Sequence, residues 1–99
     1  LRGMMLLQPS PLEIRLRQSF PEAATARIDR VGMLSDVQRE SVWQHLRALH
    51  CDVKWIEDEE FDSYRADHWQ PVIARRGDGE YLFMDRTGVR TLMFRSPTT

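Results

Sequence analysis

Apolar positions in the first half of the chain recur mostly at helical spacing. Ser10-Pro11-Leu12-Glu13 combines a capping residue, a proline suited to the first helical turn and a glutamate at capping-box spacing. Leu12 and Leu16 then share one face. A strand reading competes, because Leu12, Ile14 and Leu16 also alternate with charged residues, but the start signals favour a helix ending at Phe20-Pro21. Residues 22–31 fit two patterns. Ala24, Ile28 and Val31 suit a helix stopped by Gly32, whereas Ala24, Ala26 and Ile28 alternate as in a strand; the capping-box spacing of Ser19 and Glu22 tips the reading toward helix. Ser35 and Gln38 then open the clearest element, a helix from Asp36 to His50 whose stripe of Val42, Leu46 and Leu49 is widened by Trp43.

After residue 50 the period changes. Cys51 to Ile56 reads as a strand, with Val53 and either Trp55 or Cys51 inward, and Asp58 to Ala66 as a short helix anchored by Phe61 and Tyr64 and bounded by Pro71. The final third reads as an antiparallel meander: Val72-Ile73-Ala74, Tyr81 to Met84, and Val89 to Phe94. Gly77-Asp78-Gly79 and Arg86-Thr87-Gly88 are the loops between them. Loops of three residues pair Arg76 with Glu80, Met84 with Arg90 and Leu82 with Leu92; a two-residue Asp78-Gly79 turn shifts the first of these by one. The fold class that follows is α+β, with N-terminal helices packed on a C-terminal antiparallel meander of three to four strands. Residues 1–99 form a single domain in this reading. Residues 1–9 and 96–99 are expected to be flexible or cloning-derived ends; Leu1 to Gly3 have the look of a cloning remnant, the alternative being that the whole chain is a fragment of something larger.

The meander carries an implication. Its register places Leu82, Met84, Leu92 and Phe94 on one face and Tyr81, Phe83, Val89 and Met93 on the other, so both faces need cover. The N-terminal helices suffice for one. The other calls for Phe61, Tyr64 and Trp69, or for a second molecule. The expected function is therefore a small non-enzymatic binding module that engages a protein partner, or itself as a homodimer, through a sheet face or edge. The partner-binding candidates are Tyr81, Phe83, Met93, Arg75 and Arg95.

Composition narrows the classes. The 99 residues are 41% hydrophobic and 29% charged, as in ordinary folded domains. No apolar run is long enough to cross a bilayer, so no membrane partner is expected. A single cysteine without a targeting segment suggests a cytoplasmic protein. The formal net charge of −1 does not mark a nucleic-acid binder, although Tyr81 and Phe83 flanked by arginines make single-stranded RNA binding the alternative. Charge is also uneven: residues 51–70 hold Lys54 and Arg65 against seven carboxylates. Glu57, Asp58, Glu59, Glu60 and Asp62 form a candidate acidic docking surface or, more simply, the solvated start of a helix.

Catalytic and metal chemistry is poorly supported. Cys51 beside His50 resembles a nucleophile with its base, but neighbouring side chains diverge, and a buried structural cysteine is the plainer reading. An enzyme using Cys51 or the histidines is a distant alternative. His45, His50, Cys51 and His68 have zinc-compatible chemistry with unsuitable spacing, and the acidic run lacks the alternation of a calcium loop. A DNA-reading helix beginning at Asp36 would carry Glu40 toward phosphates. No cofactor is expected, because no glycine-rich phosphate loop is present.

Overall fold

The computed structural model describes residues 8–30 and 35–97. Helix α1 (Pro11–Ser19) begins as its sequence dictates: the Ser10 hydroxyl accepts the Glu13 N–H at 3.1 Å, and Pro11 occupies the first turn. The Glu13 carboxylate does not close the capping box. It turns to Arg17 and Arg30, each at 3.3 Å. A 3-10 turn, Pro21–Ala23, follows Phe20. Strand β1 (Arg27–Asp29) then corrects the helical reading of this segment, whose Val31 and Gly32 lie outside the described residues. Pairing with a distant strand overrides the local helical preference here.

Helix α2 (Asp36–Ala48) has a complete capping box, with Gln38 N–H to Ser35 Oγ at 3.1 Å and Ser35 N–H to Gln38 Oε1 at 2.9 Å. It is followed by β2 (Asp52–Glu57), a 3-10 turn at Asp58–Glu60, and α3 (Phe61–Ala66). The remaining strands are β3 (Gln70–Pro71), β4 (Ile73–Arg76), β5 (Gly79–Phe83) and β6 (Arg90–Arg95). The fold class is α+β. Among the described residues no helix is long and apolar enough to cross a membrane.

The strands form two three-stranded sheets, β1-β5-β4 and β2-β6-β3, rather than one meander. β1 runs parallel to β5; the other pairings are antiparallel. The chain from Gln70 to Arg76 serves both sheets. Gln70 and Pro71 pair with Phe94 and Met93, the Val72 N–H donates to Leu92 O at 3.0 Å, and Ile73 to Arg76 pair with Leu82 to Gly79. β5 and the end of β6 thus succeed one another along a single neighbour, and residues 84–90 loop out between them. A bridge from Met84 to Thr91 joins the mouth of that loop, where Thr91 Oγ1 donates to Phe83 O at 2.8 Å.

This arrangement corrects the expected registers. Met84 stands opposite Thr91, not Arg90, and Leu82 pairs with Ile28 and Ile73, not Leu92. A one-residue change exchanges faces, so Met84 joins Met93 while Phe83 joins Leu92 and Phe94. The first hairpin turns on two residues, Gly77 and Asp78, so Arg75 rather than Arg76 faces Glu80, and their ion pair measures 2.8 Å. Gly79 takes the first place in β5 with φ +145°, a conformation that L side chains rarely adopt.

Each sheet face takes its cover from within the chain, and α2 covers its side only in part. Leu12, Leu16, Ile56, Phe61, Trp69, Met84 and Met93 form one core beneath α1 and α3, bordered by Phe20, Ile28 and Tyr64. Val72, Ala74, Phe83 and Leu92 form the other beneath α2, bordered by Val42, Trp43, Leu46, Val53, Trp55 and Phe94. Of the two covers expected for the second face, Phe61 and Trp69, with Tyr64 at their border, provide the one from within the chain.

Candidate interaction surface

Tyr81, Phe83 and Met93 are 0%, 2% and 0% exposed, which removes them from any surface that a partner could touch in the folded chain. The Tyr81 ring lies beneath two guanidinium groups, Arg76 at 4.6 Å and Arg27 at 5.9 Å from its centroid. Its hydroxyl donates to Asp78 Oδ2 at 2.7 Å. That bond, with help from Arg76 and Arg27 and against partial burial, holds the Asp78 carboxyl below its ordinary pKa. Neither Tyr81 nor Phe83 offers a ring face for base stacking. The buried tyrosine is a clamp on the β4–β5 turn.

The two arginines of the sequence reading stay at the surface, on different elements. Arg75 is exposed beside Glu80 on β4. Arg95 lies 5.2 Å from the centre of the Trp69 ring and pairs with Asp52 and Asp67. The acidic group is largely engaged within the chain. Asp58 and Asp62 face Arg15 of α1 at 3.5 Å each, and Glu57 and Glu60 cap the turn between them. Glu59 is exposed.

The nucleophile and metal candidates lie on separate stretches. His45 is on the exposed side of α2; His50 and His68 occupy turns with φ 61° and 68°; Cys51 is half-buried before β2. Among the described residues no group of three or more His, Cys, Asp or Glu side chains could hold a metal ion.

The unexpected surface is α2. Its element was legible from capping and period, yet none of its residues is fully buried. Val42, Trp43 and Leu46 only partly cover the core beneath them. Val37 is 78% exposed, and Leu49, just past the last helical residue Ala48, is 53% exposed. This corrects the expectation that Leu49 completes the buried stripe. A cleft of about 420 Å³ separates α2 from the adjoining strands, lined by Ser41, Val42, His45 and Leu46 on one wall and by Val72 to Arg75 and Phe94 on the other. Strand β4 beside it is an outer strand of its sheet.

The N-terminal half of α2 is tied down from its inner side. Arg39 reaches Asp29, fully buried at the end of β1, at 3.6 Å, and Asp36 at 2.8 Å. On the outer side, charge is segregated along the helix, with Asp36 and Glu40 early and His45 and Arg47 late. Arg47 stacks on Trp43 at 5.3 Å, and the Trp43 indole N–H is buried with no hydrogen-bond acceptor among the described residues. The signal for this surface in the sequence was Val37, an apolar residue off the Val42–Leu46 stripe. No protein-family model, curated protein or solved structure matches the chain.

Proposed function

We propose that this chain is a small, non-enzymatic binding module that engages a protein partner through the outer face of α2 and the neighbouring edge strand β4, with Arg75 at the rim. The observation that carries this reading is a helix of 13 residues, well capped and amphipathic, in which no side chain is fully buried. Helices in small domains draw most of their stability from a packed apolar face. One left half-covered beside a cleft and an edge strand has the features of a docking surface, since unpaired strand edges and apolar grooves are common sites of protein attachment. Each of Val37 and Leu49, if covered by a partner, adds roughly 1–2 kcal/mol from burial of its remaining exposed area.

The test is site-specific photocrosslinking in the cells that make the protein. A photoreactive residue at His45, on the wall of the cleft, should yield a discrete higher-mass adduct. The same group at Thr87, in the loop after β5, is the control and should yield none. Equal labelling from both positions, or none from His45, refutes the reading.

A further inference from the structure

We infer that the partner for α2 is a second copy of the same chain, packed antiparallel across a two-fold axis near the middle of the helix. This rests on α2 being the docking surface, and it adds the identity and orientation of the occupant. Val37, Ser41, Gln44 and Ala48 fall within an arc of about 60° on the outer side of the helix. Glu40 and Arg47 border that arc on the same flank, about 20° apart around the axis and about 10 Å apart along it.

When two identical helices meet antiparallel, like flanks face each other. Glu40 of each copy then meets Arg47 of the other, giving two equivalent ion pairs. A parallel arrangement brings that flank against Gln38 and His45 instead. The charge pattern is therefore self-complementary in one orientation, as a two-fold interface requires. Gln44 Nε2 donates to Glu40 Oε2 at 2.6 Å and steadies the carboxylate, while Arg47 is steadied by Trp43 at 5.3 Å. The outer arc itself carries Val37, 78% exposed at the start of α2.

The seam is short, roughly 20 Å for 13 residues. That is below the size of a standard stable interface, so the dimer is weak, with a dissociation constant in roughly the micromolar range.

Sedimentation of the intact chain across a concentration series tests this. The expected result is a reversible rise from 11.7 kDa toward twice that mass. Glu40→Arg alone and Arg47→Glu alone each set like charges together at both sites, and each should weaken self-association about ten- to thirty-fold. Mixing the two variants restores opposite charges at both sites, so the mixture should dimerise as the parent does. Circular dichroism on each variant checks that the fold is kept, and a misfolded variant would not be rescued by mixing. A chain that stays monomeric at high concentration overturns the inference, as does a mixture that associates no better than its components. If His45 meanwhile crosslinks to a different protein, the docking surface survives and only its occupant changes.

Discussion

Gly88→Ala offers the sharpest test of how the 84–90 loop is seated. Gly88 has φ +77°, where an L residue is disfavoured by roughly 1 kcal/mol. A Cβ built there also overlaps the Arg30 guanidinium. That guanidinium is the far end of a flexible side chain, so the overlap is relieved by displacing Arg30, and the cost is what Arg30 was doing. It holds the Glu13 carboxylate at 3.3 Å, with the two side chains only 17% and 11% exposed. Loss of one charged hydrogen bond in such a site costs about 1.5 kcal/mol, since Arg17 remains as the other partner of Glu13. The two contributions total about 2.5 kcal/mol. Urea denaturation of four proteins, the parent, Gly88→Ala, Arg30→Ala and the double variant, separates them. In the Arg30→Ala background the glycine substitution should cost only the ~1 kcal/mol of backbone strain, giving a coupling near 1.5 kcal/mol. A coupling indistinguishable from zero refutes the argument that the glycine makes room for the Arg30–Glu13 pair.

Other substitutions probe separate contacts. Thr91→Val removes the 2.8 Å hydrogen bond to Phe83 O at the mouth of the loop and should cost about 1 kcal/mol in thermal or urea unfolding. Tyr81→Phe keeps the ring between Arg27 and Arg76 but removes the hydroxyl from Asp78, with a similar expected loss in the same assay. Asp85 carries a pH prediction. Burial raises its pKa, but the N–H groups of Val89 and Arg90, the Thr87 hydroxyl and the Arg90 guanidinium outweigh it and hold the carboxyl below its ordinary value. Its stabilisation is complete above the ordinary carboxylate value and fades as the pH falls through the lower folded-state value. Asp85→Asn should therefore destabilise at pH 7 and flatten the decline in stability below about pH 4, as measured by urea midpoints across pH.

Much of the local structure was legible because it depends on neighbours in sequence. Ser10 and Pro11 start α1, Ser35 and Gln38 start α2, and Phe20-Pro21 ends the first helix; each is a contact within a few residues. β1 was legible only as one of two patterns, because what decides for the strand is β5, more than fifty residues away. The β5–β6 register was missed for a related reason. Tyr81 to Met84 is apolar throughout and supplies no period, so the loop sets the pairing. In that loop the Asp85 side chain accepts the N–H groups of Val89 and Arg90, and the Asp85 N–H donates to Arg90 O. The excess of apolar residues in the meander was read correctly as a demand for cover, but its supply by α2 on one face and α1 with α3 on the other depends on how the strands divide. Tyr81, Phe83 and Met93 accordingly lie inside the fold rather than on its surface, whereas Arg75 and Arg95 remain on it.

The division of cover between the faces explains why the open surface falls on α2. The face under α1 and α3 is closed by two helices and by Phe61 and Trp69, both buried, with Tyr64 at its border. The opposite face has α2 alone, held at its N-terminal half through Arg39 and Asp29. One cylinder about 10 Å across does not close a three-stranded sheet, and the cleft along β4 is the space it leaves. Closing that cleft from within would need larger side chains at Ser41 or Ala74, where the chain has small ones. Filling it should therefore separate stability from recognition. Ala74→Val adds apolar volume on the cleft wall, so it should leave the unfolding midpoint unchanged or raised, yet weaken any association that uses the cleft. A fall in stability with association untouched would show that the space is already part of the packed core.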